Sequence, residues 1–464
     1  MNRYTLEQQA IINTVLTTNE PLYKISSVAG SGKTHTLKGI ANALKPTKGL
    51  YIAFNKSVAD EAKLFFPPNI DCKTIHALAY HYVIRGTKQK IEELSIDSIT
   101  TNNAPYIKRQ IIDAMNAFFN SSELSLSFID TIAAPAQAKI AKQYIMDMVD
   151  NKKPATFGFI MKYFYLQLEA GNLDISYDLV MVDEAGDLSE VTIEIFKLLK
   201  APKKVMVGDP HQNIYAFMNT VNGFEVLKDV GIQMELSQSF RVRTGIANRI
   251  ENFCQKYLDK DMHFKGIDID ETEAKSRIYL SRTNSQLIGR MISLHLTKEL
   301  YSTLRDPKEI FALPLDLITI SSGKPVYRKE HKYLERDYQE FASSRSLQET
   351  YKKFHAYLRD IHGDDQNLVS ALRLLETHSY GTIFETFNLA KAQPKKQQSI
   401  ILATAHVSKG GTYDSVYIEN DLNNTIEKII NKGGPDCKED ITELNLYYVA
   451  CSRCRIELLN ANHL

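Results

Sequence analysis

The chain has 464 residues, 44% apolar and 24% charged, a balance that suits a soluble globular protein of about two to four domains. A formal net charge of +1 excludes a bulk basic field, so any nucleic-acid contact has to come from a local groove. Five scattered cysteines argue against a disulfide framework, and neither a signal-peptide core nor a membrane-spanning apolar run is present. A cytoplasmic protein, or one sitting with the host cell's DNA, is therefore expected, and not a secreted one. Cys451 and Cys454 have C-x-x-C spacing without a second such pair, which favours core thiols over a zinc or redox site. Trp is absent, so base stacking would fall to the 24 Tyr and 20 Phe.

In chain order, an apolar strand is expected over 22–28, a helix over 33–44 and a second strand over 49–54. That alternation predicts a parallel sheet. Residues 78–154 change character, with helical periodicity at 106–119 and 134–149. Strand signals return at 179–182 and 204–207. A second α/β unit begins near 235 with a strand at 276–281, then breaks off into a charged, tyrosine-rich stretch with helices at 347–360 and 367–375. Residues 391–398 look like a solvated linker, and strands resume at 399–404 and 415–419.

Three turns carry chemistry. Residues 26–34 read Ser-Ser-Val-Ala-Gly-Ser-Gly-Lys-Thr, a phosphate cradle between a strand and a helix, with Ser27 where G-x-x-x-x-G-K-[ST] would have its first glycine. The run 179–182 delivers Asp183 and Glu184. Asp183 can hold Mg²⁺ with the Thr34 hydroxyl, and Glu184 can orient and deprotonate a water. The run 205–208 ends in Gly208-Asp209, with Gln212 positioned to sense a γ-phosphate and Tyr215 and Phe217 following as an aromatic surface.

Together these turns resemble superfamily 1 helicases of the UvrD/Rep/PcrA type, closest to the short members related to the F-box DNA helicases. Thr5-Leu6-Glu7-Gln8-Gln9 is similar to the adenine-reading glutamine motif, and Ala29 to Thr34 to motif I. Tyr51 to Lys56 resembles motif Ia, Thr74 to Leu78 motif Ib, Asp183 to Asp187 motif II and Gly208 to Phe217 motif III. Ser239-Phe240-Arg241 resembles motif IV, Thr404 to Asp414 motif V and Leu446 to Arg453 motif VI.

The resemblance implies an ATP-dependent DNA helicase or translocase with ATP and Mg²⁺ as cofactors. Gln8, Ala29, Gly30, Ser31, Gly32, Lys33, Thr34, His35, Phe240 and Gly410 would bind the nucleotide, with Phe240 stacked on the adenine. Lys33, Glu184, Gln212, Arg241 and Arg453 would be catalytic, the two arginines as fingers on the γ-phosphate. Phe54, Asn55, Thr74, His76, Tyr215, Phe217 and His406 would line a single-strand track. Gln212-Asn213-Ile214-Tyr215 resembles the group that moves 3′ to 5′. The pattern departs from the family at Gly186 (usually Gln), at Phe217-Met218-Asn219 (usually Trp-Arg-Gly) and at Gly411-Thr412 (usually Leu-Glu). These changes imply weaker coupling, a smaller stacking surface and the loss of a ribose-contacting carboxylate.

The implied fold is α/β: two RecA-like P-loop domains with parallel sheets, each carrying a mostly helical insertion. The expected division is 1–77 with 155–238, insertion 78–154, then 239–283 with 397–464, and insertion 284–396. Expected partners are single-stranded DNA and single-strand/duplex junctions, with no membrane. A monomer working beside replication or recombination proteins fits this reading. Because the chain ends soon after motif VI, no nuclease extension is expected. Two alternatives stay open: a translocase that strips proteins from DNA with little unwinding, and an ATP-gated DNA-binding module. Lys324, Arg328, Lys329, Lys332 and Arg336 read as a solvated basic face or as a contact for duplex DNA.

Overall fold

The computed structural model describes residues 4–101, 103–214, 220–270, 273–326, 328, 331–342, 350–363, 365–394 and 398–464. The chain divides between Ser239 and Phe240 into two compact units.

In the first unit, β1 (Leu22–Ser27), β2 (Gly49–Ala53), β3 (Ile70–Thr74), β4 (Leu179–Val182), β6 (Lys203–Gly208) and β8 (Ile232–Leu236) form a six-stranded sheet, in the order β3-β2-β4-β6-β1-β8. The strand pairs are parallel. Between them, β5 (Leu188–Ser189) and β7 (Thr220–Val221) make a short antiparallel pair. Side chains alternate across a strand, and here both faces are apolar. Leu50, Ile52, Val180, Val182 and Met206 enter one core with the helices Ile75–Val83, Pro105–Asn120, Pro135–Val149, Phe157–Glu169 and Glu190–Leu198. Tyr23, Ile25, Tyr51, Met181, Val205 and Val207 enter the other, with the helices Leu6–Thr17, Lys33–Leu44 and Lys56–Phe65.

β4, β6 and β1 are neighbours near the sheet's centre, and their registers run Val182 to Met206 and Ser26 to Gly208. The turns after these strands therefore leave the same edge of the sheet, the carboxyl edge where open α/β sheets carry their sites.

In the second unit, β9 (Gln238–Arg243, which begins in the first unit) pairs with β10 (Lys265–Ile267). β11 (Arg277–Ser281), β12 (Ser302–Thr303), β13 (Ile400–Thr404), β14 (Tyr413–Ile418) and β15 (Cys454–Leu459) form a parallel sheet ordered β12-β13-β11-β14-β15. The helix Asn284–Thr297 joins the helices from Pro307 to Ala392 in one apolar core that includes Leu402 of β13.

Two local readings change. Residues 391 and 392 end the helix Tyr380–Ala392 instead of opening a linker, and the Gln393 side chain accepts from the Tyr301 backbone N–H at 3.2 Å. The basic stretch is largely neutralised. Arg328 bonds Asp316 at 2.5 Å, Lys332 pairs with Glu335 at 3.1 Å and Arg336 with Asp337 at 3.0 Å. Lys329 lies outside the described residues.

Candidate active site

The phosphate loop closes β1 onto the helix Lys33–Leu44. Gly30 and Gly32 sit at φ 76° and 79°, the left-handed region that glycine enters at little cost. Gly32 is the N-cap and contributes no side chain, so no side-chain oxygen caps the first turn. The Ser31 hydroxyl is buried without a hydrogen-bond partner among the described residues. A buried hydroxyl beside a helix N-terminus that lacks a side-chain cap suits an anion such as phosphate. Ser27 donates to the Gly208 carbonyl at 2.8 Å, so the residue in the usual glycine position ties this loop to the end of β6.

Asp183 follows β4, is buried, and each of its oxygens is engaged. Oδ1 accepts from the Glu184 backbone N–H at 2.9 Å. Oδ2 accepts from the Thr34 hydroxyl at 3.1 Å and from the Tyr51 hydroxyl at 2.8 Å. Burial, then the charge of Glu184, raises its pKa; Lys33 and the Tyr51 hydroxyl oppose that shift. A carboxylate beside a threonine hydroxyl is a hard oxygen set of the kind Mg²⁺ takes, so Thr34 and Asp183 fit the expected metal.

Lys33 Nζ lies 3.1 Å from Glu184 Oε1. Burial works to lower the Lys33 pKa, but the carboxylates of Glu184, Asp183 and Asp209 outweigh it, and the ammonium is held above its ordinary range. Glu184 itself sits at φ 56°, an uncommon conformation for a residue with a side chain and one that concentrates at functional turns.

The turn after β6 is organised by Asp209, which the sequence reading treats only as part of a Gly-Asp turn. Its carboxylate accepts from the His211 N–H at 3.1 Å and from Gln212 Nε2 at 2.7 Å, which fixes the buried Gln212 amide. A Cβ on Gly186 would lie 2.5 Å from the Asp209 carbonyl oxygen, so the two turns touch backbone to backbone there. Tyr215, Phe217 and Met218 lie outside the described residues.

At the chain's start, Gln8 and Thr5 form a reciprocal capping box at 3.1 and 3.2 Å. The Gln8 carbonyl is thereby engaged, and Gln9 instead donates to the Tyr4 carbonyl at 2.7 Å. The Tyr4 ring lies 4.7 Å from that of His35. Glu7, not singled out in the sequence, accepts from the N–H groups of Ser237 and Gln238 at 3.0 and 3.2 Å. Ser239 donates to the Ala29 carbonyl at 2.7 Å. The last residues of the first unit are thus fastened to the phosphate loop and the first helix.

Phe54, half exposed, and Asn55 follow β2, while Thr74 ends β3 and the exposed His76 follows it, on the same sheet edge. Asn55 caps the helix Lys56–Phe65 and Thr74 caps Ile75–Val83, accepting from Val58 N and Ala77 N. The His76 ring meets Phe157 edge-on at 6.0 Å.

In the second unit, Phe240 and Arg241 lie on β9, and Phe240 is half exposed. Arg453 follows the helix Lys438–Cys451 and donates to the Val449 carbonyl at 2.9 Å and to the Ser452 hydroxyl at 3.1 Å. His406 lies in the turn after β13, and burial, helped by the charges of Arg282 and Arg305, pushes its pKa down to about 4. Gly410 in the same turn has φ 86°. Cys451 and Cys454 are buried, and burial raises both thiols, Cys454 to about 12, as inert core groups.

Residues 8–218 match a family described as an AAA domain. The chain is 26% identical to a protein named F-box DNA helicase protein 1 from Schizosaccharomyces pombe, over 98% of this chain and 57% of that one. It is also 26% identical to F-box DNA helicase 1 of Gallus gallus, over 100% of this chain and 49% of that one. The chain spans about half the length of these curated relatives. Among the described residues no helix is long and apolar enough to cross a membrane.

Proposed function

We propose that this chain, a relative of the superfamily 1 helicases with an AAA-type P-loop domain, is an ATP-driven motor that moves 3′ to 5′ on single-stranded DNA and unwinds duplex. The observation that carries the reading is the convergence of two turns on one sheet edge, where Lys33 meets Glu184, Thr34 meets Asp183 and the Glu184 N–H meets Asp183, each within hydrogen-bond distance.

In this reading the phosphates meet the uncapped N-terminus of the helix Lys33–Leu44, the Ser31 hydroxyl and the Lys33 ammonium. Phosphate oxygens compete with Glu184 for Lys33. As Lys33 turns to phosphate, Glu184 is released to orient and deprotonate the attacking water. Thr34 and Asp183 would hold Mg²⁺, which when bound would neutralise phosphate charge. Gln212, fixed by Asp209, reports the phosphate state to the turn that continues into Tyr215 and Phe217. With the Gln8 carbonyl engaged in its cap, the Gln8 amide donors are left to read an adenine acceptor. His35, whose ring lies beside that of Tyr4, would contact the nucleotide from the first turn of the same helix as Lys33 and Thr34. Arg241 and Arg453 would act as arginine fingers that offset charge on the γ-phosphate, and Phe240 would stack on the base.

Phe54, Asn55, Thr74, His76 and His406 would contribute track contacts to backbone and bases that do not depend on sequence. Replication, recombination or repair is the setting proposed for such a motor. Single-stranded DNA should stimulate ATP turnover, and Glu184→Gln should lower turnover about 10²–10⁴-fold while retaining nucleotide binding. Absence of DNA stimulation, together with a silent Glu184→Gln, would overturn the motor.

A further inference from the structure

Tyr51 is a buried strand residue with a polar tip. Its ring packs 4.7 Å from Phe66 in the core under the sheet, and its hydroxyl reaches Asp183 Oδ2 at 2.8 Å. That same oxygen accepts from Thr34 at 3.1 Å, whereas Oδ1 is held by the Glu184 N–H. The two hydroxyls differ in what they can do. Thr34 lies in the first turn of the helix after the phosphate loop, and a threonine hydroxyl can turn to a metal. Tyr51 sits on β2, the immediate neighbour of β4, in register opposite Met181. Its ring is packed in the core, and its hydroxyl comes up from beneath the sheet end to Asp183, with Thr34 beside it.

We propose that Tyr51 is the positioning residue for the Asp183 carboxylate: it holds Oδ2 when Thr34 leaves, so that the metal-binding oxygens keep one orientation through the cycle. Hydrogen bonds of this kind, from outside the ligand set to a ligating carboxylate, typically change metal affinity 10–100-fold when removed. The inference rests on the assignment of Thr34 and Asp183 as the metal-holding pair.

The test is a titration of free Mg²⁺ against binding of a fluorescent ATP analogue to the full chain, in wild type and in Tyr51→Phe. The variant removes one hydroxyl and keeps the ring on Phe66. The expected result is a Mg²⁺ midpoint raised about 10–100-fold, with analogue binding unchanged at saturating Mg²⁺ and a cooperative thermal melt retained. Tyr51→Met removes the same hydroxyl with a different core filling and serves if Tyr51→Phe does not fold. Phe66→Leu loosens the ring's packing without touching the hydroxyl and should lower the melting temperature while leaving the midpoint in place. Equal midpoints in wild type and either folded Tyr51 variant overturn the positioning role while the motor reading stands. If wild type binds the analogue with no Mg²⁺ dependence at all, it is the assignment of Thr34 and Asp183 that fails.

Discussion

Gly186 illustrates what a single position can mean in two contexts. As a departure from the usual glutamine it implies weaker coupling, but its surroundings leave no room for a side chain, since a Cβ would sit 2.5 Å from the Asp209 carbonyl oxygen. The turns after β4 and β6 have closed on each other, and the Asp209 carboxylate holds Gln212. Restoring the family residue with Gly186→Gln should therefore harm the protein, by about 1–3 kcal/mol of overpacking. Urea unfolding with nucleotide binding measured in parallel checks this; unchanged stability would mean that the turns separate freely.

His406 makes a second case at this scale. With its pKa pushed down to about 4, it is neutral at physiological pH. A histidine depressed in this way contributes stability that is present above its unfolded value near 6.5 and is lost as pH falls through 4. As a track residue it would act as a neutral hydrogen-bonding ring. His406→Ala should weaken DNA binding and leave the slope of log affinity against log salt unchanged, whereas a change of about one would mark a phosphate-binding cation.

Among the elements, lysines fasten the first sheet to its surroundings. Lys24 on β1 is buried, with Nζ donating to the carbonyls of Leu227 and Lys228 at 2.8 Å each, in the turn after the helix Gly223–Val226 and before β8. Burial lowers its pKa, although Asp229 works the other way. Lys203 caps the carboxyl end of the helix Leu6–Thr17, bonding the Thr18 carbonyl at 2.9 Å, and Lys204 caps Glu190–Leu198 through the Lys197 carbonyl at 2.6 Å. These residues hold the strands that carry the phosphate loop and the glutamine turn. Lys24→Met fills the volume but removes the ammonium from the Lys228 carbonyl and leaves Leu227 with the Val230 N–H, so it should cost about 1–3 kcal/mol by denaturant unfolding.

Most strand and helix cores were legible because both faces of the central strands are apolar and the amphipathic helices keep their period. β4 at 179–182 is one example and the helix Pro105–Asn120 another. β3 was not legible: its Ile-Asp-Cys-Lys-Thr alternates at the sheet's edge, where one face meets the core and the other does not. β12 has two residues and no pattern to read.

At the scale of the whole molecule, the proposed motor needs groups from each unit. Arg241→Ala in the full chain should lower ATP turnover about 10³-fold or more while leaving nucleotide binding within a few-fold, as for a residue that acts on transition-state charge. Arg453 also donates to the Val449 carbonyl, so Arg453→Ala should lose turnover and some stability together, separable by a thermal melt. Direction is set by how a whole track is gripped. Duplexes with a 3′ tail should be unwound and those with a 5′ tail should not; the opposite preference would overturn the assignment drawn from Gln212 to Tyr215.

The sequence by itself determined the α/β class and the order of the turns, and supplied the residue types proposed for phosphate and metal chemistry, because those rest on local signals: glycine in a tight turn, an apolar run before an acid, a helix after a Lys-Thr pair. Tertiary structure decided which groups support them. Tyr51 meets Asp183 across 132 positions, Ser27 meets Gly208 across 181, and Glu7 meets Ser237 across 230. Neighbouring strands bring these groups together, and no local pattern marks a tyrosine, a serine or a glutamate as the partner a distant turn requires.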